Sequence, residues 1–104
     1  MSAPEFADVE AFESAILAGG DEMPPGLPAP LEALWRARTG QWEAAHEMAQ
    51  SMNSRDGDWI HAYLHRVEGD LPNASYWYRR AGQPVAEVSL DSEWRALVSE
   101  FLRR

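Results

Sequence analysis

The chain has 104 residues, 45% of them hydrophobic, with five Trp. That composition fits one folded domain with a single core of modest size and excludes a disordered tail. A net charge of −8 and the absence of Cys exclude long-range attraction to phosphate backbones, disulfides, thiol catalysis and Cys-ligated zinc.

All the basic residues are Arg, and their only clusters, Arg79-Arg80 and Arg103-Arg104, are too small to override the acidic field, so no nucleic-acid partner is expected. No apolar run approaches a membrane span, and Met1–Glu5 carries no charged leader followed by an apolar stretch. The expectation is a cytoplasmic protein without membrane contact.

Taken in chain order, the sequence predicts six helices and no strand. Phe6, Val9, Phe12 and Ile16 recur at helical spacing, which predicts a first helix over residues 1–18, stopped by Gly19-Gly20. The segment 19–30 is a Pro-rich connector, because each Pro removes a donor and biases its predecessor away from helix. Pro30 suits the first turn of a second helix carrying Leu31, Leu34, Trp35 and Arg38. Gly40 turns the chain, and a third helix runs from Trp42 to Met52.

Asn53–Gly57 reads as a loop from its turn residues. A fourth helix covers Asp58 to Glu68 and stops at Gly69. Asp70 caps a fifth, with Pro72 in its first turn and Ala81-Gly82 at its end. After a connector over Gln83–Leu90, Ser89 or Asp91 caps the last helix, whose stripe is Trp94, Leu97, Val98 and Phe101.

Two segments echo each other. Gly40 and Gly69 lie 29 residues apart, and the same offset pairs Leu31 with Ile60, Ala33 with Ala62, Trp35 with Leu64 and Ala45 with Ala74. The run Ala62, Gly69-Asp70-Leu71, Ala74, Tyr78 and Ala81 resembles a tetratricopeptide-type repeat. A first copy matches more weakly through Ala33, Gly40, Trp42, Ala45 and Ala49. The offset is shorter than the about 34 residues of that family. The resemblance implies an all-α fold of two TPR-like hairpins, about 31–52 and 59–82, capped by the first and last helices. The stretches Trp59–Arg66 and Tyr76–Ala81 are also similar to small bacterial and fungal proteins of unassigned function, which supply no chemistry.

Two polar constellations stand out. On the fourth helix Asp58, His61, His65 and Glu68 gather opposite the face of Trp59, Ile60, Tyr63, Leu64 and Val67. Two imidazoles one turn apart with flanking carboxylates can ligate a divalent metal, and Glu43-Ala-Ala-His46 has the spacing used in di-metal helical bundles. The plainer reading of the same residues is a polar layer between helices or a solvated face, bonded to Asp, Tyr or backbone. On the fifth helix Tyr76 and Arg80 lie one turn apart, so the guanidinium can cover the ring.

His61, His65, Asn73, Tyr76 and Arg80 together form the candidate recognition patch of an interaction module for a protein or peptide, which is the leading functional expectation. Metal binding by Asp58, His61, His65 and Glu68 is the alternative. No cofactor and no catalytic residue is expected, since no phosphate loop, nucleophile elbow or Ser/His/Asp pattern occurs. Apolar faces left uncovered at the ends of the stack would favour a homodimer.

Overall fold

The computed structural model describes residues 6–19 and 22–104, and within them the chain is all-α. Six helices follow one another: α1 (Val9–Gly19), α2 (Ala29–Arg38), α3 (Trp42–Ser51), α4 (Arg55–Val67), α5 (Leu71–Ala81) and α6 (Leu90–Leu102). Residues 1–5 of the expected first helix, and the expected stop at Gly20, lie outside the described residues. Phe6 precedes α1, because the Asp8 carboxylate accepts the Ala11 amide at 2.9 Å and caps the helix there.

The two expected glycine turns close alike. At Gly40 (φ +76°) the Gln41 amide donates to the Arg36 carbonyl at 2.9 Å, and at Gly69 (φ +84°) the Asp70 amide donates to the His65 carbonyl at 2.9 Å. Both are left-handed helix ends that a side chain would strain. The residues paired by the 29-residue offset are also alike in burial: Leu31 and Ile60, Ala33 and Ala62, Trp35 and Leu64, Ala45 and Ala74 are all buried. The repetition in sequence is thus matched in the turn geometry and in the burial of these residues.

One boundary is corrected. Asn53–Gly57 is not a loop, since α4 begins at Arg55 with the Ser54 hydroxyl accepting the Gly57 amide at 3.1 Å. The turn is confined to Met52–Ser54, with Asn53 at φ +48°. Gly57 is helical and serves a different purpose, because a Cβ there would lie 2.5 Å from the Ala49 carbonyl oxygen and 2.8 Å from the Met52 Cβ. It is the point where α3 and α4 cross at backbone distance.

Helix α4 is the centre of the fold. Residues 60–65 are all buried, because α3 and α5 flank the helix while α2 and α6 also pack on it. The face carrying His61 and His65 is thus covered, not solvated, whereas Val67 on the expected apolar face is exposed. The main core joins Phe12, Leu34, Trp35, Ile60, Leu64, Trp94, Leu97 and Val98; a smaller cluster of Ala62, Ala74 and Tyr78 seals α4 against α5.

Several polar groups inside this frame are partnered across helices, whereas Trp35 Nε1 and Arg38 Nε are buried without a hydrogen-bond partner among the described residues. The Trp94 indole donates to the Leu34 carbonyl at 2.8 Å. Arg38 reaches Glu13 at 3.0 Å and Asp91 at 2.7 Å, with its guanidinium carbon 4.0 Å from the centre of the Trp94 ring, so it ties α1, α2 and α6. Glu93, only 4% exposed, accepts from Arg66 at 2.6 Å and from the Tyr78 hydroxyl. Burial and then the bond to Glu93 push the Tyr78 phenol above its usual range. Apart from these pairings, three imidazoles gather at one place in the fold.

Candidate metal centre

The chain has three His, and all three meet at the junction of α3 and α4. One ligating nitrogen from each of His46, His61 and His65 lies within 4.8 Å of the others. His61 and His65 sit one turn apart on α4 with rings 4.8 Å apart and nearly parallel. The His46 ring, reaching across from α3, stands edge-on to both, at 4.4 Å from His61 and 5.3 Å from His65. His61 and His65 are buried and His46 is half-buried.

The helix pairing explains the meeting. His46 and His61 are equally far from the turn at Asn53–Ser54, so antiparallel packing of α3 on α4 sets them opposite one another. The close crossing at Gly57 and Ala49, about one turn nearer the hinge, brings the two helices near enough for the rings to touch.

Aromatic side chains hold two of the rings. Trp42, four residues before His46, stacks on it at 4.8 Å and 14°, while its indole donates to the Leu64 carbonyl at 2.8 Å. Trp77 from α5 stacks on His61 at 3.8 Å and 16°. The third ring is fixed by a carboxylate: His65 Nδ1–H donates to Glu68 Oε1 at 2.6 Å. With the proton on Nδ1, the lone pair of His65 is on Nε2, which is the arrangement seen when a carboxylate orients a metal-ligating imidazole.

Burial, then the neighbouring His46 and His65, and then Arg80 lower the His61 pKa to about 4. Burial followed by the charge of His65 also lowers that of His46. Neutral imidazoles with free lone pairs are the ligand form of histidine. A tetrahedral ion bound at the usual Zn–N length of about 2.0–2.1 Å needs nitrogens about 3.3 Å apart. Side-chain rotation of the three rings would have to supply a closing of at most about 1.5 Å.

The expected metal set is altered in two ways. Asp58 does not join the imidazoles; its carboxylate faces Arg80 at 3.6 Å, because that end of α4 packs beside α5. Glu68 contacts His65 from behind and supports it instead of joining the three-histidine group. Glu43 is exposed and outside the cluster; the second group of potential ligands is His65, Glu68 and Asp70, whose two carboxylates are exposed or half-buried. His46, Trp42 and Trp77 are the site residues that the sequence reasoning did not assign.

The expected recognition patch divides. His61 and His65 are buried, and Asn73 is half-buried, with its amide 3.4 Å from the capping carboxylate of Asp70. Tyr76 and Arg80 are exposed, and the guanidinium lies 3.3 Å from the Tyr76 hydroxyl and 5.1 Å from the centre of the Trp77 ring. Three surface clefts, of about 370, 410 and 510 Å³, are lined by residues other than the three histidines. Comparison with protein-family models, with curated proteins and with solved structures finds no match for this chain.

Proposed function

We propose that this chain is a metal-binding helical protein whose ligands are His46, His61 and His65. The observation that carries the reading is the convergence of every histidine in the chain on one point from two helices. Imidazole suits Zn(II), Cu(II), Ni(II) and Fe(II), and a compact tri-imidazole set without thiolate suits tetrahedral Zn(II). The Glu68 bond to His65 and the stacking of Trp42 and Trp77 on the other two rings support it, since they orient the ligands before any ion arrives.

Calorimetric titration of untagged, chelator-treated protein with Zn(II) tests the proposal. One site per chain is expected, lost in His46→Ala, a half-buried change that keeps the fold. A wild-type protein that takes up no stoichiometric metal, both in titration and by elemental analysis as purified, refutes it.

A second reading keeps the interaction module, now reduced to the outer face of α5. Tyr76 is 46% exposed and the Arg80 side chain 53% exposed, one turn apart on the same helix. Such a pair suits a partner segment bearing a carboxylate. Substituting both by Ala is expected to remove capture of a partner from the native host while leaving the melting temperature nearly unchanged. Unaltered capture would end this reading.

A further inference from the structure

Resting on the proposed tri-histidine site, we infer that the bound metal keeps one coordination position for a small exogenous ligand, water or a small monoanion such as thiocyanate or azide. The ligand count comes first. Among the described residues no fourth imidazole or carboxylate joins His46, His61 and His65 within their 4.8 Å radius. Glu68 and Asp70 gather with His65 within 4.8 Å, but Glu68 is held by the Nδ1 of His65 and Asp70 caps α5 through the Asn73 amide, while Asp58 faces Arg80. A divalent ion with three protein ligands completes its tetrahedron from solvent, which separates exchangeable centres from closed structural ones.

Charge sets the class of ligand. Three neutral imidazoles cancel none of the metal's double positive charge, so an anion gains Coulomb energy that it would lack in a Cys-rich site. Access and size follow from packing. His61 and His65 are buried beneath α3 and α5, whereas His46 is half-buried, so the ligand enters on the His46 side. The indoles of Trp42 and Trp77 lie flat against two of the rings, and none of the three clefts described above opens onto the histidines. An extended ligand would have to displace one of these indoles, so the position suits a ligand of a few atoms.

Replacement by Co(II) separates this inference from the site on which it rests. Wild-type protein loaded with one Co(II) is expected to show the visible absorption of a tetrahedral ion, and saturable addition of thiocyanate is expected to shift the bands. If Co(II) is not bound, the tri-histidine site itself is refuted, and this inference falls with it. If Co(II) binds but neither thiocyanate nor azide changes the spectrum up to 100-fold excess, the site stands and the exchangeable position is refuted. Glu68→Gln supplies the control. An anion response that appears only in this variant would make Glu68 the fourth ligand and overturn the inference, whereas responses in both proteins support it.

Discussion

Replacing Gly57 by Ala measures how closely α3 and α4 must approach. The added methyl would lie 2.5 Å from the Ala49 carbonyl oxygen and 2.8 Å from the Met52 Cβ, where ordinary contact begins at 3.4 Å. The α3 backbone must therefore retreat by about 0.9 Å at Ala49, because a carbonyl oxygen has no rotamer by which to yield. Overpacking of this kind costs about 1–3 kcal/mol, and the backbone nature of the contact puts Gly57→Ala in the upper part of that range. Alanine returns about 1 kcal/mol through its better helix propensity. The net loss is about 1–2 kcal/mol, which lowers the melting temperature by roughly 5–15 °C in a chain of this size.

Thermal and urea unfolding followed by circular dichroism read this directly. Gly19→Ala serves as the comparison, since nothing lies within 4 Å of its added methyl, and it is expected to be neutral or slightly stabilising. Because α3 carries His46, Gly57→Ala is also expected to weaken Zn(II) binding. A Gly57→Ala melting temperature equal to or above that of the wild type would refute the close crossing, and with it the account of how His46 reaches His61.

Further outcomes follow from other contacts. Glu68→Gln keeps the shape but weakens the orientation of His65, and is expected to lower Zn(II) affinity by about 10–100-fold in a competition titration. Glu93→Ala leaves the Arg66 guanidinium without its buried partner, and a loss of about 3–5 kcal/mol is expected from urea unfolding. The pH dependence of the metal-free protein has a defined sign. Folding lowers the His61 pKa from 6.5 to about 4 and also lowers that of His46. The unfolded chain therefore binds more protons between those values, and stability is expected to be full above pH 6.5 and to decline as the pH falls toward 4. In His61→Gln that decline is expected to be shallower.

Helical periodicity and glycine punctuation made most of the fold legible, because a helix needs only local spacing to declare its buried face. The equivalence of the Gly40 and Gly69 turns was readable for the same reason. Gly57 was misread as a turn residue, since a glycine that permits a close crossing looks the same in sequence as one that permits positive φ. The polar face of α4 was found, but whether it was a layer between helices or a solvated face was not decided, because His61 and His65 are covered by side chains of other helices. His46 was noticed only for its spacing to Glu43. Its true partners are set by antiparallel packing about Asn53–Ser54, and equal distance from that turn is the signal that would have found them.

The indole planes lying on His46 and His61 give the centre an optical reporter of its own. An open-shell ion such as Cu(II), held by those two imidazoles, would be one ring away from Trp42 and Trp77, at ring separations of 4.8 and 3.8 Å. Their emission would be quenched most, since Trp42 and Trp77 are the indoles packed on the imidazoles among the described residues, whereas Trp35, Trp59 and Trp94 pack elsewhere in the core. Occupancy of the three-histidine cluster can thus be followed in unlabelled protein from the part of its fluorescence that disappears.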